Sequence, residues 1–126
     1  MQKFRAAVEA MDPDAMVATL ADDVVFTSPA VFKPYHGKPL VGGLLRCAMK
    51  VFSDFKYAAE LTDGEQTALV FDAKVGELAV QGIDLGRVNE AGLVTHLTVF
   101  VRPMSGLGAL AEAMQREIAS AGIVRR

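Results

Sequence analysis

Four strand-like runs fill the second half of the chain and constrain the fold more than any other feature. The runs "DFKYAAEL", "EQTALVFDAKV", "LAVQGIDLGRV" and "LVTHLTVFVRP" are separated only by the turn-like stretches "TDGE", "GE" and "NEAG". Connections this short make consecutive strands pair side by side and antiparallel. The second half of the chain is therefore predicted to be an antiparallel meander of long strands.

The first half of the chain is mostly helical in pattern. Phe4, Val8 and Met11 recur at helical spacing, and "DPDAMVATL" then supplies Asp12 as a helix cap and Pro13 at the first helical position. A strand-like run, "DDVVFTS", precedes a longer helix in "GKPLVGGLLRCAMKVF", and "SGLGALAEAMQREIASAG" predicts a closing helix. The order helix, helix, strand, helix, four strands, helix is typical of an α+β fold with helices on one face of a bent sheet.

Composition narrows the class of protein. A chain of 126 residues with 52% hydrophobic residues is predicted to form one globular domain, residues 1–126. The net charge of −2, with no basic cluster longer than Arg125-Arg126, argues against nucleic acid or an anionic membrane as a partner. Cys47 is the only cysteine, and no apolar run is long enough to span a bilayer, so a soluble, cytoplasmic protein is predicted.

Strand alternation predicts which side chains point into the domain. The inward row of the last strand is predicted to be Leu93, Thr95, Leu97, Val99 and Val101, and the outward row Val94, His96, Thr98, Phe100 and Arg102. The inward row of "EQTALVFDAKV" is Leu69, Phe71, Ala73 and Val75. Asp72 and Lys74 then lie on the outer face as solvated charges or a cross-strand ion pair, and His96 is an interface or surface residue rather than a catalyst.

Asp84 is the candidate acid, and alternation alone leaves its orientation open. Its row contains Gly82 and Gly86, which would leave space for a ligand, whereas the opposite row contains Ile83 and Leu85. Facing inward, Asp84 would be desolvated, and its pKa would rise enough to make it a neutral hydrogen-bond donor. Facing outward, it would be a carboxylate on the sheet face, paired with Arg87 or with a partner subunit.

The stretch "VVFTSPAVFKPYHGKP" also has two interpretations. Its prolines and glycine predict a chain reversal leading into a helix, which is sufficient to explain Tyr35-His36. Alternatively, Tyr35 lies at the rim of a pocket and offers a ring with a hydroxyl donor. The two histidines, His36 and His96, lie on different elements, and no cluster has metal-ligand spacing, so no metal and no cofactor are predicted.

The strings "LADDVVFTSP", "KPYHGKP" and "NEAGLVTHLTVFVRP", in this element order, resemble the nuclear-transport-factor-2-like superfamily, and within it the SnoaL-like polyketide cyclases and ketosteroid-isomerase relatives. The resemblance covers nearly the whole chain. It implies a cone-shaped α+β barrel, in which a curved antiparallel sheet surrounds an apolar pocket and helices cover the open side. It also implies a homodimer formed through the outer sheet face.

Only one of the three functional groups of a ketosteroid isomerase is matched by the residue that stands in its place in this sequence. Ketosteroid isomerases use a carboxylate base and an oxyanion hole made by a tyrosine and a protonated aspartic acid. Ser28 stands where the base belongs, Phe4 where the tyrosine belongs, and Asp84 where the aspartic acid belongs. The carboxylates expected of epoxide hydrolases and polyketide cyclases near the last strand are not matched, since Thr98-Val99 stand there.

Two hypotheses about function follow. In the first, the cone binds a small apolar molecule with a ring or a carbonyl, and any catalysis is isomerisation, cyclisation or hydration without a cofactor. Asp84 is then the catalytic acid, and the ligand-binding residues are Phe26, Ser28, Tyr35, Phe71, Leu97 and Val99. In the second, the protein is a non-catalytic binding or dimerisation module whose cone is filled by Phe4, Phe26, Phe32, Phe52 and Phe71. A cavity of about 300 Å3 or more would favour the first hypothesis.

Overall fold

The computed structural model describes residues 1–124 and has helices and strands in the predicted order. The elements are α1 (Gln2–Glu9), α2 (Pro13–Ala18), β1 (Leu20–Thr27), β2 (Tyr35–His36), α3 (Lys38–Val51), β3 (Phe52–Asp63), β4 (Gln66–Val75), β5 (Leu78–Val88), β6 (Val94–Arg102) and α4 (Met104–Ser120). Within residues 1–124, the two-residue strand β2 is the only element that the pattern did not predict. As predicted, Pro13 begins α2, and the Asp12 side chain accepts a hydrogen bond of 3.0 Å from the Ala15 amide.

The six strands form one curved sheet in the order β2-β1-β6-β5-β4-β3. Strands β3 to β6 make the predicted antiparallel meander, whereas β1 runs parallel to β6. The sheet does not close into a complete barrel, so β2 and β3 are its edges. Helices α3 and α4 pack on each other and on the sheet, which confirms the α+β class.

Alternation holds on β4 and on most of β6. All four predicted inward residues of β4 are buried, and Asp72 and Lys74 are exposed. The prediction for Val94 is wrong: it is only 1% exposed. The β5–β6 pairing shifts register between Arg87 and Val88, and such an irregularity breaks the strict alternation of side chains. His96, just beyond this shift, lies exposed as predicted.

The glycines of β5 do not leave space for a ligand, contrary to expectation. A β-carbon at Gly82 would collide with the ring of Phe71, and one at Gly86 would collide with the side chain of Met1. These side chains lie directly over the β5 backbone. The two glycines therefore allow close packing of the chain on itself.

No helix within residues 1–124 is long and apolar enough to cross a membrane.

Candidate functional site

A cavity of about 370 Å3 lies within the cone. The seven site residues predicted from the sequence all line it: Phe26, Ser28, Tyr35, Phe71, Asp84, Leu97 and Val99. Exposed lining residues, among them Met11 and Val31, mark the place where the cavity opens to solvent. The structure thus brings the predicted residues together, and their role in binding stays a prediction.

Asp84 faces the cavity, which decides between the two orientations that the pattern left open. Its neighbours across the sheet are Leu69 on β4 and Val99 on β6, and its exposure is 8%. The Tyr57 hydroxyl donates a hydrogen bond of 2.9 Å to Asp84 Oδ2. The site is therefore a buried carboxyl group partnered by a buried phenol.

Burial controls the protonation of this pair. Desolvation raises the pKa of Asp84 to about 7, against an opposing effect of the hydrogen bond from Tyr57. Burial, and after it the charge of Asp84, raises the pKa of the Tyr57 hydroxyl far above its usual range. Tyr57 thus stays a hydrogen-bond donor, while Asp84 changes between neutral acid and carboxylate near neutral pH.

Irregularities in β3 aim its side chains at the cavity. Asp54 has a positive φ of 50°, and the β3–β4 register shifts between Ser53 and Lys56. As a result Phe52 and Phe55 both line the cavity, although strict alternation would place them on opposite faces. Tyr57 then follows Phe55 with normal alternation and reaches Asp84.

An ion-paired arginine lies over the ring of Tyr57. The Arg5 Cζ atom lies 5.4 Å from the centroid of the Tyr57 ring, a cation–π distance. Arg5 Nη1 donates to Glu60 at 3.0 Å, and Arg5 Nε donates to Glu9 at 3.3 Å. Helix α1 thereby fixes the phenol ring whose hydroxyl bonds to Asp84.

Ser28 cannot act as a base in this arrangement. Its Oγ accepts hydrogen bonds from the amides of Ala30 at 3.2 Å and Val31 at 2.9 Å, so its lone pairs are already used. The hydroxyl hydrogen remains available for donation, because a serine hydroxyl has one donor and two acceptor positions. Ser28 is therefore suited to donating a hydrogen bond within the cavity that it lines.

The segment that contains Tyr35 and His36 reverses the chain and also places one side chain in the cavity wall. They form β2, which pairs antiparallel with β1 through Phe26 and Val25, so the segment does reverse the chain. Tyr35 also lines the cavity, and its ring lies 6.3 Å from that of Phe26. His36 is exposed and does not line the cavity.

Of the five phenylalanines predicted to fill the cone, four line the cavity and one lies on the surface. Phe4, Phe26, Phe52 and Phe71 line the cavity without closing it. Phe32 is 99% exposed on the loop before β2, so the expectation that it fills the cone is wrong. An open volume above about 300 Å3 is in the range of small-molecule pockets.

The remaining charged candidates lie outside the cavity. Lys74 pairs across strands with Asp54 at 3.8 Å, rather than with Asp72, which accepts a hydrogen bond from Gln81. His96 is exposed beside Thr95. Within residues 1–124, no three His, Cys, Asp or Glu side chains are grouped closely enough to hold a metal ion.

Tyr57 is the functional residue that sequence reasoning missed. Phe4 occupies the place of the expected tyrosine on α1 and has no hydroxyl, and the phenol comes instead from β3. Regular pairing of β3 with β4 from the short turn "TDGE" would place Tyr57 opposite Asp72, an outward residue, and a register shift between Tyr57 and Ala59 brings it opposite Phe71 instead. Neither this shift nor the bulge at Asp54 could be read from the sequence.

The chain belongs to the SnoaL-like domain family, whose sequence model matches residues 1–97. The sequence of this chain is 38% identical to that of a steroid delta-isomerase from Pseudomonas aeruginosa, and the two structures have a TM-score of 0.91. The similarity covers 98% of this chain and 91% of that one.

Two further structures are similar. An uncharacterized protein with a cystatin-like fold, conserved in bacteria, from Silicibacter pomeroyi DSS-3 is 35% identical over 94% of this chain and 84% of that one, with a TM-score of 0.90. A putative ketosteroid isomerase from Kribbella flavida DSM 17836 is 22% identical over 81% of this chain and 74% of that one, with a TM-score of 0.67, and this likeness shows the fold alone. No curated protein matches the chain.

Proposed function

We propose that this protein binds a small apolar ring ketone in the cone and that Asp84, as a neutral acid, hydrogen-bonds the ketone oxygen. The observation that carries the proposal is the buried Tyr57–Asp84 pair on the wall of an open cavity. With Tyr57 donating to Oδ2, the acid proton of Asp84 lies on Oδ1. That proton is available to a ligand oxygen, which is an acceptor.

The proposed reaction class follows from what the cavity contains. A hydrogen bond from Asp84 polarises a carbonyl and would stabilise an enol or enolate, as an oxyanion hole does. Asp84 is the only carboxyl group among the described lining residues, and Ser28 offers a donor rather than a base. We therefore propose that the cavity binds and polarises a carbonyl compound. Isomerisation, the reaction for which the similar steroid delta-isomerase is named, is proposed to be slow in this chain.

Binding of 2-acetylnaphthalene, followed by fluorescence titration at pH 6, tests the proposal. Asp84→Leu replaces the carboxyl group with an apolar side chain of similar size. It is expected to weaken binding by about tenfold or more, because a hydrogen bond between neutral groups is worth roughly 1 kcal/mol and the buried ligand oxygen is also left unpaired. The affinity of the unmodified protein should also fall as the pH rises through 7, since ionised Asp84 has no proton to donate.

The hydrocarbon 2-ethylnaphthalene is the control ligand, because it has the same rings and no oxygen. It should bind the unmodified protein and Asp84→Leu equally, at every pH. If the ketone binds Asp84→Leu as tightly as it binds the unmodified protein, the proposed role of Asp84 is contradicted. If neither ligand binds, the proposed function is contradicted.

We also propose that the protein is a homodimer formed through the outer sheet face. Two apolar rows cross this face from strand to strand: Ala59, Val70, Ile83 and Phe100 in one, and Leu61, Ala68, Leu85 and Thr98 in the other. Ile83 is 36% and Phe100 52% exposed. Charges of both signs, including Asp72 and Arg87, flank the rows, and an apolar centre with a polar rim is the usual anatomy of an interface.

The dimer is tested by molar mass from light scattering. The unmodified protein should have twice the mass of one chain, and Phe100→Lys should reduce it to that of one chain, because a lysine at the centre of an apolar interface would be buried without a partner. Phe32→Lys, on an exposed loop residue away from the sheet face, should leave the mass unchanged. A single-chain mass for the unmodified protein at high concentration would contradict the proposal.

A further inference from the structure

We propose that Arg5 is a positioning residue for Asp84 and acts through the ring of Tyr57. The inference rests on the proposed function, because it concerns the acid that polarises the ketone there. Arg5 is not among the described residues that line the cavity. It therefore affects a ligand in the cone through another residue rather than by contact.

Three contacts hold the guanidinium group of Arg5. It lies over the Tyr57 ring, with Cζ 5.4 Å from the ring centroid. Its Nη1 atom donates to Glu60 Oε1 at 3.0 Å, and its Nε atom donates to Glu9 Oε1 at 3.3 Å. Gln2, one turn earlier on α1, donates to the other carboxyl oxygen of Glu60. Glu60 thus accepts hydrogen bonds from two residues of α1 and ties this helix to β3.

A bulge in β3 makes this arrangement possible. Tyr57 pairs with Phe71 and Glu60 pairs with Leu69, and both partners on β4 point inward and are completely buried. Residues three apart on a regular strand point to opposite faces, but the register shift between Tyr57 and Ala59 adds one residue to β3. Tyr57 and Glu60 therefore point to the same face, where one guanidinium group contacts both.

The contact with Arg5 strengthens the hydrogen bond that Tyr57 donates. A cation over the face of an aromatic ring attracts its π electrons, which makes the phenol hydroxyl a better donor. Burial raises the pKa of the Tyr57 hydroxyl, and the charge of Arg5 opposes that rise. Burial likewise raises the pKa of Asp84, and the hydrogen bond from Tyr57 opposes it. Arg5 thereby limits the pKa of Asp84 and sets the pH range in which Asp84 can donate.

The other charges near the pair are negative. Asp84 on β5 and Glu9 on α1 both act on Tyr57, and each raises the pKa of its hydroxyl. Glu60 on β3 is bonded to Arg5, and this hydrogen bond lowers the pKa of Glu60; the positive amino terminus lies near Glu60 as well. Among the described residues, Arg5 is the cation that lies against the Tyr57 ring.

The experiment follows the carboxyl resonance of Asp84 by carbon-13 NMR in variants of Arg5, without a ligand. Arg5→Met keeps a long unbranched side chain and removes the charge. It should raise the titration midpoint from about 7 to roughly 7.5, because a partly exposed cation–π contact is lost. Arg5→Lys keeps the charge but loses the planar group that contacts two carboxylates and a ring at once. It should give more than half of the rise seen in Arg5→Met.

Two further variants show whether the effect passes through Tyr57. Tyr57→Phe keeps the ring and removes the hydroxyl, so in this background Arg5→Met should move the midpoint less than half as far. Arg46→Met is the matched control, because Arg46 forms an ion pair with Asp14 on the surface and is not among the described cavity-lining residues. It should leave the midpoint of Asp84 unchanged.

An unchanged midpoint in Arg5→Met, or a full rise in the Tyr57→Phe background, would overturn the inference. An unchanged midpoint in Arg5→Lys would also overturn it, since charge alone would then be sufficient, and this variant decides the question if Arg5→Met does not fold. A midpoint at or below about 4 in the unmodified protein would contradict the proposed function as well. A midpoint near 7 that does not respond to Arg5 would overturn this inference alone.

Discussion

Ser28→Asp is expected to increase the rate at which this protein isomerises a β,γ-unsaturated ring ketone by about 100-fold or more, the usual contribution of a positioned general base. Isomerisation requires a base to remove a proton from the carbon beside the carbonyl and return it two carbons further along. An aspartate can accept that proton, whereas the Ser28 oxygen already accepts two amide hydrogen bonds. The conjugated product is followed by its ultraviolet absorbance, as kcat/KM.

The position of Ser28 supports this expectation. Thr27 pairs with Thr98 in the parallel β1–β6 ladder, and the next residue of β6, Val99, pairs with Asp84. Ser28 therefore lies two strands from Asp84, roughly 10 Å between backbones, on a concave face that brings side chains closer. An aspartate there would keep the two amide hydrogen bonds, which would hold it charged at neutral pH.

Ser28→Asn is the matched control, since it has the shape of aspartate and no basic oxygen. It should be no faster than the unmodified protein. Combining Ser28→Asp with Asp84→Leu should remove most of the gain, because the enolate oxygen then has no donor. Equal rates for Ser28→Asp and Ser28→Asn would contradict the proposed geometry of the cavity.

The stability of the unmodified protein is expected to fall as the pH rises from about 4 to 7, and Asp84→Asn should abolish that fall. The pKa of Asp84 is raised from 3.8 to about 7 in the folded state, so in this window the folded protein holds a proton that the unfolded chain releases. Stability is therefore fully present below pH 3.8 and lost as the pH approaches 7. The loss is on the order of 4 kcal/mol, because each pH unit in the window costs about 1.4 kcal/mol.

Urea unfolding at fixed protein concentration, repeated at half-unit steps between pH 4 and 8, measures this effect. The concentration is held constant because a dimer would make stability depend on it. Asp72→Asn, at an exposed position on the outer face, should leave the slope of the unmodified protein in place. If the curves of the unmodified protein and Asp84→Asn run parallel, Asp84 is not desolvated in the folded state.

Most of the fold follows from short-range rules of sequence. The turns "TDGE", "GE" and "NEAG" are short enough to dictate the meander, and Asp12 with Pro13 dictates the start of α2. The parallel pairing of β1 with β6 is a contact between distant parts of the chain, and no local pattern specifies it. The family resemblance implied the cone that contains it.

The site was less predictable, because it depends on exceptions to alternation. The row of Asp84 contained glycines and the opposite row contained Ile83 and Leu85, so the pattern did not fix its orientation. In the structure the Phe71 ring packs over Gly82, on the same face of β5 as Asp84. The bulge at Asp54, which turns Phe55 inward, has a positive φ at a residue other than glycine and leaves no clear trace in the sequence. Tyr57 was not predicted because regular pairing from the turn "TDGE" places it opposite the outward Asp72, and a register shift between Tyr57 and Ala59 turns it inward.

The account depends on a protonated Asp84 in the cavity, and carbon-13 NMR of its carboxyl group tests this most directly. The resonance is assigned by its loss in Asp84→Asn, and its shift is followed between pH 3 and 9. A midpoint near 7, moving upward in Tyr57→Phe because the carboxylate loses a donor, is the predicted result. A midpoint at or below about 4 would mean that Asp84 is a solvated carboxylate and would contradict the account.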